Sequence, residues 1–113
     1  MDNYGPMYLR LSRDVYPDLY TEETKFELGR GAVVREGGDV TVIACGILVH
    51  KAMEAAEILA GRGVSVRVVD MYSIKPIDRE LTIKCARETG ALVCAEEHNI
   101  FGGLGSAVSE VLA

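Results

Sequence analysis

Apolar residues follow two different rhythms along this chain. VTVIAC (Val40 to Cys45), VSVRVVDM (Val64 to Met71) and ALVCAE (Ala91 to Glu96) are short apolar runs, the first two rich in β-branched residues, the pattern of strands covered on both faces of a sheet. Between them the apolar positions fall three and four apart. Val49, Ala52, Met53, Ala56, Leu59 and Ala60 form one stripe, with Lys51, Glu54 and Glu57 on the other side, which predicts an amphipathic helix ended by Gly61 and Gly63. A second helix is predicted from Arg79 to Glu88, N-capped by Asp78 and closed by Gly90, on the thin stripe Leu81, Cys85, Ala86. Leu104, Ala107, Val108, Val111 and Leu112 predict a third. Ahead of Gly37-Gly38 the pieces are shorter. Met7 to Leu11 reads as a strand, the polar stretch from Leu11 to Thr24, broken by Pro17, as an irregular link, and Ala32 to Glu36 as a short strand.

Strands and helices that alternate with short links predict an α/β fold: a three-layer, mostly parallel open sheet with helices on both faces. Val42, Ala44, Val66, Val68, Val93 and Ala95 are then expected among the most buried residues. Ligands of such sheets sit at the carboxyl ends of strands, here Cys45-Gly46, Asp70 to Ser73, and Glu96 to Gly103. The last helix stops at Ala113 with its apolar stripe still running, and Met7 to Leu11 has no neighbouring strand in sequence. Both features lead us to expect part of a larger assembly, with apolar surface exposed around Met7 to Leu11 and Leu104 to Leu112.

Composition narrows the function classes. A chain of 113 residues, 49% apolar, is at most one small domain with a real core. A net charge of −5 without a basic stripe argues against nucleic acid. No apolar run approaches the ~20 residues of a membrane span, and the first residues lack the basic and apolar regions of a secretory signal. Cys45, Cys85 and Cys94 contain no CxxC pair, so we expect free, buried thiols in the reducing cytoplasm rather than a zinc site.

The richest chemistry lies in EEHNIFGGLGSAVSE, Glu96 to Glu110. GGLG (Gly102, Gly103, Gly105) falls between a strand and a helix, where amide N–H groups can hold an anion. The acidic pair Glu96-Glu97 just upstream opposes an anion, and glycine also serves tight turns and close packing. The structural reading is therefore favoured for GGLG. It is favoured also for His98, although histidine is the commonest general base. His50 reads as a solvent or capping histidine and Gly29 to Gly31 as a turn. Arg10 and Arg13 carry guanidinium forks suited to phosphate or carboxylate, but composition gives no reason to choose between them.

The ordered segments resemble a known family. LSRDVYP (Leu11 to Pro17) is similar to the segment leaving the pyrimidine-binding domain of transketolases. GGDVTVIACGILVHKAMEAAEIL, VRVVDMYSIKPID and EEHNIFGGLGSAVSEVL resemble three successive units of their C-terminal domain. LSR, EEH and GGLG together look most like transketolase, in particular the separate C-terminal subunit of split transketolases. The β subunits of 2-oxoacid dehydrogenases and the deoxyxylulose-phosphate synthases share the domain. The resemblance implies that residues 1–24 end the pyrimidine-binding domain and its linker, and that 25–113 form a C-terminal domain truncated at its end. It implies a dimeric or higher homo-oligomer, partnered with the pyrimidine-binding and N-terminal domains, that moves a two-carbon ketol unit between sugar phosphates in the pentose phosphate pathway. Thiamine diphosphate and Mg would be held by those other domains, so the isolated chain is expected to be inactive and to bind no cofactor. Arg13 matches the arginine that holds the substrate phosphate, and no catalytic role transfers to His98 or His50. Two alternatives stand beside this reading. One is a docking domain of a dehydrogenase β subunit. The other is a stand-alone nucleotide- or phosphate-binding module built on GGLG.

Overall fold

A four-stranded sheet organises the chain in a computed structural model that describes residues 5–9, 11–13 and 15–113. The elements run β1 (Ala32–Arg35), β2 (Val40–Ala44), α1 (Leu48–Ala60), β3 (Val66–Asp70), α2 (Arg79–Thr89), β4 (Leu92–Ala95) and α3 (Leu104–Leu112). The spatial order is β1-β3-β2-β4. β2 pairs in parallel with both β3 and β4, whereas β1 runs antiparallel to β3.

The alternation of side chains along β2 and β3 separates two cores. Ile43, Val69 and Met71 pack with Cys85 of α2 and with Leu104 and Val108 of α3. Ala44, Val66 and Val68 pack on the other face with Val49, Ala52 and Ala56 of α1. Helices thus cover both faces, as the alternating pattern requires. Asp78 caps α2 by accepting from the Leu81 amide at 2.9 Å, and Gly90 closes it in the left-handed conformation. Both roles match the sequence reading.

Several expectations are corrected. Among the described residues Met7 to Leu11 form no strand, and Met7, Tyr8, Leu9 and Leu11 are exposed. Alternation supplies a face, but a strand also needs a ladder partner, and β1 already lies on the far side of β3. Arg10 falls outside the described residues. Val93 is 51% exposed and Cys94 is also open, because β4 is an edge strand. Ala95 and Val42 are only half-buried. In α3 the stripe is packed rather than bare: Leu104 and Val108 are buried, and Leu112 alone among its large apolar side chains stays open. No described helix is long and apolar enough to cross a membrane.

Candidate functional site

The chain turns in opposite directions after β2 and β4. α1 leaves β2 toward one face, and α3 leaves β4 toward the other. A crevice opens between their carboxyl ends, the position where open α/β sheets bind ligands. It is lined by Cys45, Gly46 and Ile47 from the β2–α1 turn and by Glu96, Glu97, His98, Gly102 and Gly103 from the β4–α3 loop, with Ile74 on the wall. Leu11, Ser12 and Arg13 complete it from the N-terminal segment. Arg13, His98, Gly102 and Gly103, all singled out from sequence, therefore meet at one place. Gly105 lies just inside α3.

The two helix ends at this crevice are not equivalent. α3 begins in contact with the Glu96 carboxylate, which accepts from the Leu104 amide at 2.8 Å and the Gly105 amide at 3.0 Å. Partial burial acts to raise the Glu96 pKa, but the Gly105 and Leu104 amides and the nearby His98 outweigh it and hold the carboxyl below its ordinary value. A Cβ on Gly103 would stand 2.5 Å from Glu96 Oε1 and 2.6 Å from His98 Cδ2, so this glycine is needed for close approach. The Gly102 amide donates to Ser106 Oγ at 3.0 Å. The Gly102, Leu104 and Gly105 amides of the GGLG loop thus already have acceptors within the chain, two of them on Glu96. α1 carries no side-chain cap at Ile47 and no acidic residue in its first turn, so no carboxylate of its own offsets its positive end, although Glu96 and Glu97 line the same crevice.

The segment from Tyr16 to Gly31 continues along the same edge. Tyr16 stacks on His50 of α1 with ring centroids 5.1 Å apart. His50 is therefore half-buried under a tyrosine instead of open to solvent or capping, a contact that no local pattern announces. Tyr20 donates its hydroxyl to Asp70 Oδ2 at 2.8 Å. Phe26 packs edge-on between Tyr20 and Tyr72. The Gly29 amide donates to Ser73 Oγ at 2.8 Å and the Gly31 amide to Asp78 Oδ2 at 3.2 Å, and the Arg30 amide closes a turn on the Glu27 carbonyl at 3.2 Å, with Gly31 just beyond it. Burial pushes the Asp70 carboxyl up, with Tyr20 and His50 pulling the other way. Burial, helped by the hydrogen bond and charge of Asp70, pushes the Tyr20 phenol up. The Cys45 thiol at the crevice is raised by burial and by the Glu96 and Asp70 carboxylates, which keeps it protonated and weakly nucleophilic. Among the described residues, no His, Cys, Asp and Glu side chains gather in a way that would hold a metal ion.

Comparisons with known proteins agree on one family. The profile described as "Transketolase, C-terminal domain" matches residues 29–113. The chain is 45% identical over 108 residues to a 6-deoxy-6-sulfo-D-fructose transketolase subunit of Clostridium sp. (strain MSTE9), which takes in 96% of this chain and 34% of that protein. It is 46% identical over 110 residues to a 1-deoxy-D-xylulose-5-phosphate synthase of Heliobacterium modesticaldum, 96% of this chain and 17% of that one. A solved structure described as a split gene transketolase, inactive beta4 tetramer, superposes with a TM-score of 0.83 at 57% identity, over 85% of this chain and 32% of that chain. The chain thus spans about a third, or less, of the length of these relatives.

Proposed function

Because the chain belongs to the transketolase C-terminal domain family, we propose that it forms the C-terminal part of an enzyme that transfers a two-carbon ketol unit between sugar phosphates, and that Arg13 grips the substrate phosphate. Residues 1–24 are read as the joint to the pyrimidine-binding domain and 25–113 as the C-terminal domain. One observation carries the reading: Arg13 lines the crevice at the strand switch point, beside the uncapped end of α1. A guanidinium fork and a helix amino end both favour a phosphate dianion. Holding that remote end orients the reacting carbonyl elsewhere in the assembled enzyme. Among the described residues no His, Cys, Asp and Glu side chains gather into a metal-holding group. Thiamine diphosphate with Mg, which supplies the carbanion chemistry of such enzymes, is assigned to the adjoining domains. His50 and His98 are assigned no catalytic role.

The same reading places the chain in an assembly with the cofactor-bearing domains and with further copies of itself, as in the tetrameric relative. Ile100 and Phe101, 83% and 78% exposed at the tip of the β4–α3 loop, are suited to be covered there.

The test is kinetic. In the assembled enzyme Arg13→Ala raises KM for phosphorylated sugars about 10- to 150-fold with a smaller change in kcat, the loss of one charge-assisted contact. Arg13→Lys recovers only part, since a point charge does not reproduce the fork. Equal effects on phosphorylated and unphosphorylated acceptors overturn the assignment. A second reading, the corresponding domain of a 1-deoxy-D-xylulose-5-phosphate synthase, is favoured by the 46% identity to that enzyme. It is separated by whether the assembled enzyme makes 1-deoxy-D-xylulose 5-phosphate.

A further inference from the structure

The residues from Val15 onward do not drift away from the crevice. They cross the carboxyl edge of the sheet and are fastened at two points before Phe26. Tyr16 lies on the imidazole of His50, in the first turn of α1. Four residues on, Tyr20 donates to Asp70, the last residue of β3. The cavity that holds these groups shares Cys45 and Gly46 with the Arg13 crevice. The two cavities are thus adjacent rooms under one strap.

Both anchors are rigid. Asp70 is only 7% exposed and stands on a strand paired on both sides, at a register that places it beside Ala44 and Ala32. His50 is fixed on a helix packed against the sheet. Residues 11–13, by contrast, belong to no helix or strand and are exposed. Tyr16 and Tyr20, three and seven residues on from Arg13, are tied to these rigid elements.

We propose that Tyr20, through Asp70, and Tyr16, through His50, are positioning residues that hold Arg13 over the crevice for the substrate phosphate. The proposal rests on the phosphate role of Arg13 given above. None of the four need touch substrate. Their work is to remove the conformational freedom of the strap before the phosphate arrives, so that the fork binds without a further ordering cost.

The experiment uses the assembled enzyme and compares a phosphorylated with an unphosphorylated acceptor. Tyr20→Phe keeps the ring packed on Phe26 and deletes only the hydroxyl. It raises KM for the phosphorylated acceptor about 10-fold, with kcat changed less than about 2-fold, and moves the unphosphorylated acceptor far less. Asp70→Ala has the same effect. Asp70→Asn, which keeps an oxygen to accept from Tyr20, restores most of it. His50→Ala gives a smaller rise of about 3-fold. In an Arg13→Ala background Tyr20→Phe adds nothing, because the group it positions is gone. If Arg13→Ala raises this KM but Tyr20→Phe does not, or if the two effects multiply in the double variant, the positioning role is overturned while the phosphate reading stands. If Arg13→Ala has no selective effect, both fall.

Discussion

β3 and β4 look alike in sequence and live in different surroundings. Both are short apolar strands, and each meets a carboxylate at its carboxyl end. β3 is interior, flanked by β1 and β2, and its Val66, Val68 and Val69 are buried. Asp70 at its end is buried as well, with the Tyr20 hydroxyl as its donor, and its pKa lies above the ordinary value of 3.8. β4 is an edge with Val93 open, and the carboxylate that follows it, Glu96, meets two backbone amides. Its pKa lies below the ordinary value of 4.5. The difference shows that rank in the sheet sets burial, whereas the balance of donors against desolvation sets the sign of a carboxylate's shift.

The largest expected effect tests the rank of the strands. Val68→Asp puts an unpaired charge between β3 and α1 and costs more than about 4 kcal/mol, enough to unfold a small domain. Val93→Asp, on the open side of the edge strand, costs about 1 kcal/mol or less. Urea titration of both variants checks the pair, and equal losses break the contrast.

Next comes the cap. Glu96→Ala removes both acceptors from the amino end of α3 and lowers stability by about 1–3 kcal/mol, read as a shift in urea midpoint. A change below about 0.5 kcal/mol would show that water satisfies these amides equally well.

The smallest effects are in pH dependence, and they have opposite signs. Glu96 has a depressed folded pKa, so its contribution is complete above 4.5 and is lost as the pH falls through its lower folded value. Asp70 has a raised folded pKa, so its contribution is complete below 3.8 and is lost as the pH rises through its folded value. Glu96→Gln should therefore make stability fall less steeply on acidification below pH 4.5. Asp70→Asn should make it fall more steeply just above pH 3.8. Urea midpoints collected across this acid range decide it, and slopes that change in the same direction refute the assignment.

How far the sequence could be read follows from the range of each interaction. The three strand–helix units were legible because period and caps are local: the α1 stripe, Asp78 and Gly90 all act within a few residues. The Glu96-Glu97 pair was a fair warning about GGLG, since Glu96 reaches amides only 8 and 9 positions away. Lateral order was not legible. Nothing in ALVCAE distinguishes an edge from an interior strand, and so the exposure of Val93 and Cys94 was missed. The strap was invisible for the same reason. Tyr20 meets Asp70 across 50 positions, and neither a tyrosine in a polar link nor an aspartate at a strand end announces the other. Arg13 was placed through family resemblance, and the structure adds only that it shares a crevice with His98 and the glycine loop.

The reversed direction of β1 has a geometric consequence of its own. Ala32 lies opposite Asp70 and Arg35 opposite Val68, so the chain enters the sheet at its carboxyl edge and leaves β1 at the other. Had β1 run parallel to β3, a four-residue strand would have displaced that entry point by roughly 10 Å along the strand direction, toward the rim where the strands begin. The residues before Gly31 would then have lain across the fold from the crevice. A single inverted strand thus acts as a gangway: any domain joined upstream boards this one at the rim where its strand-end loops open.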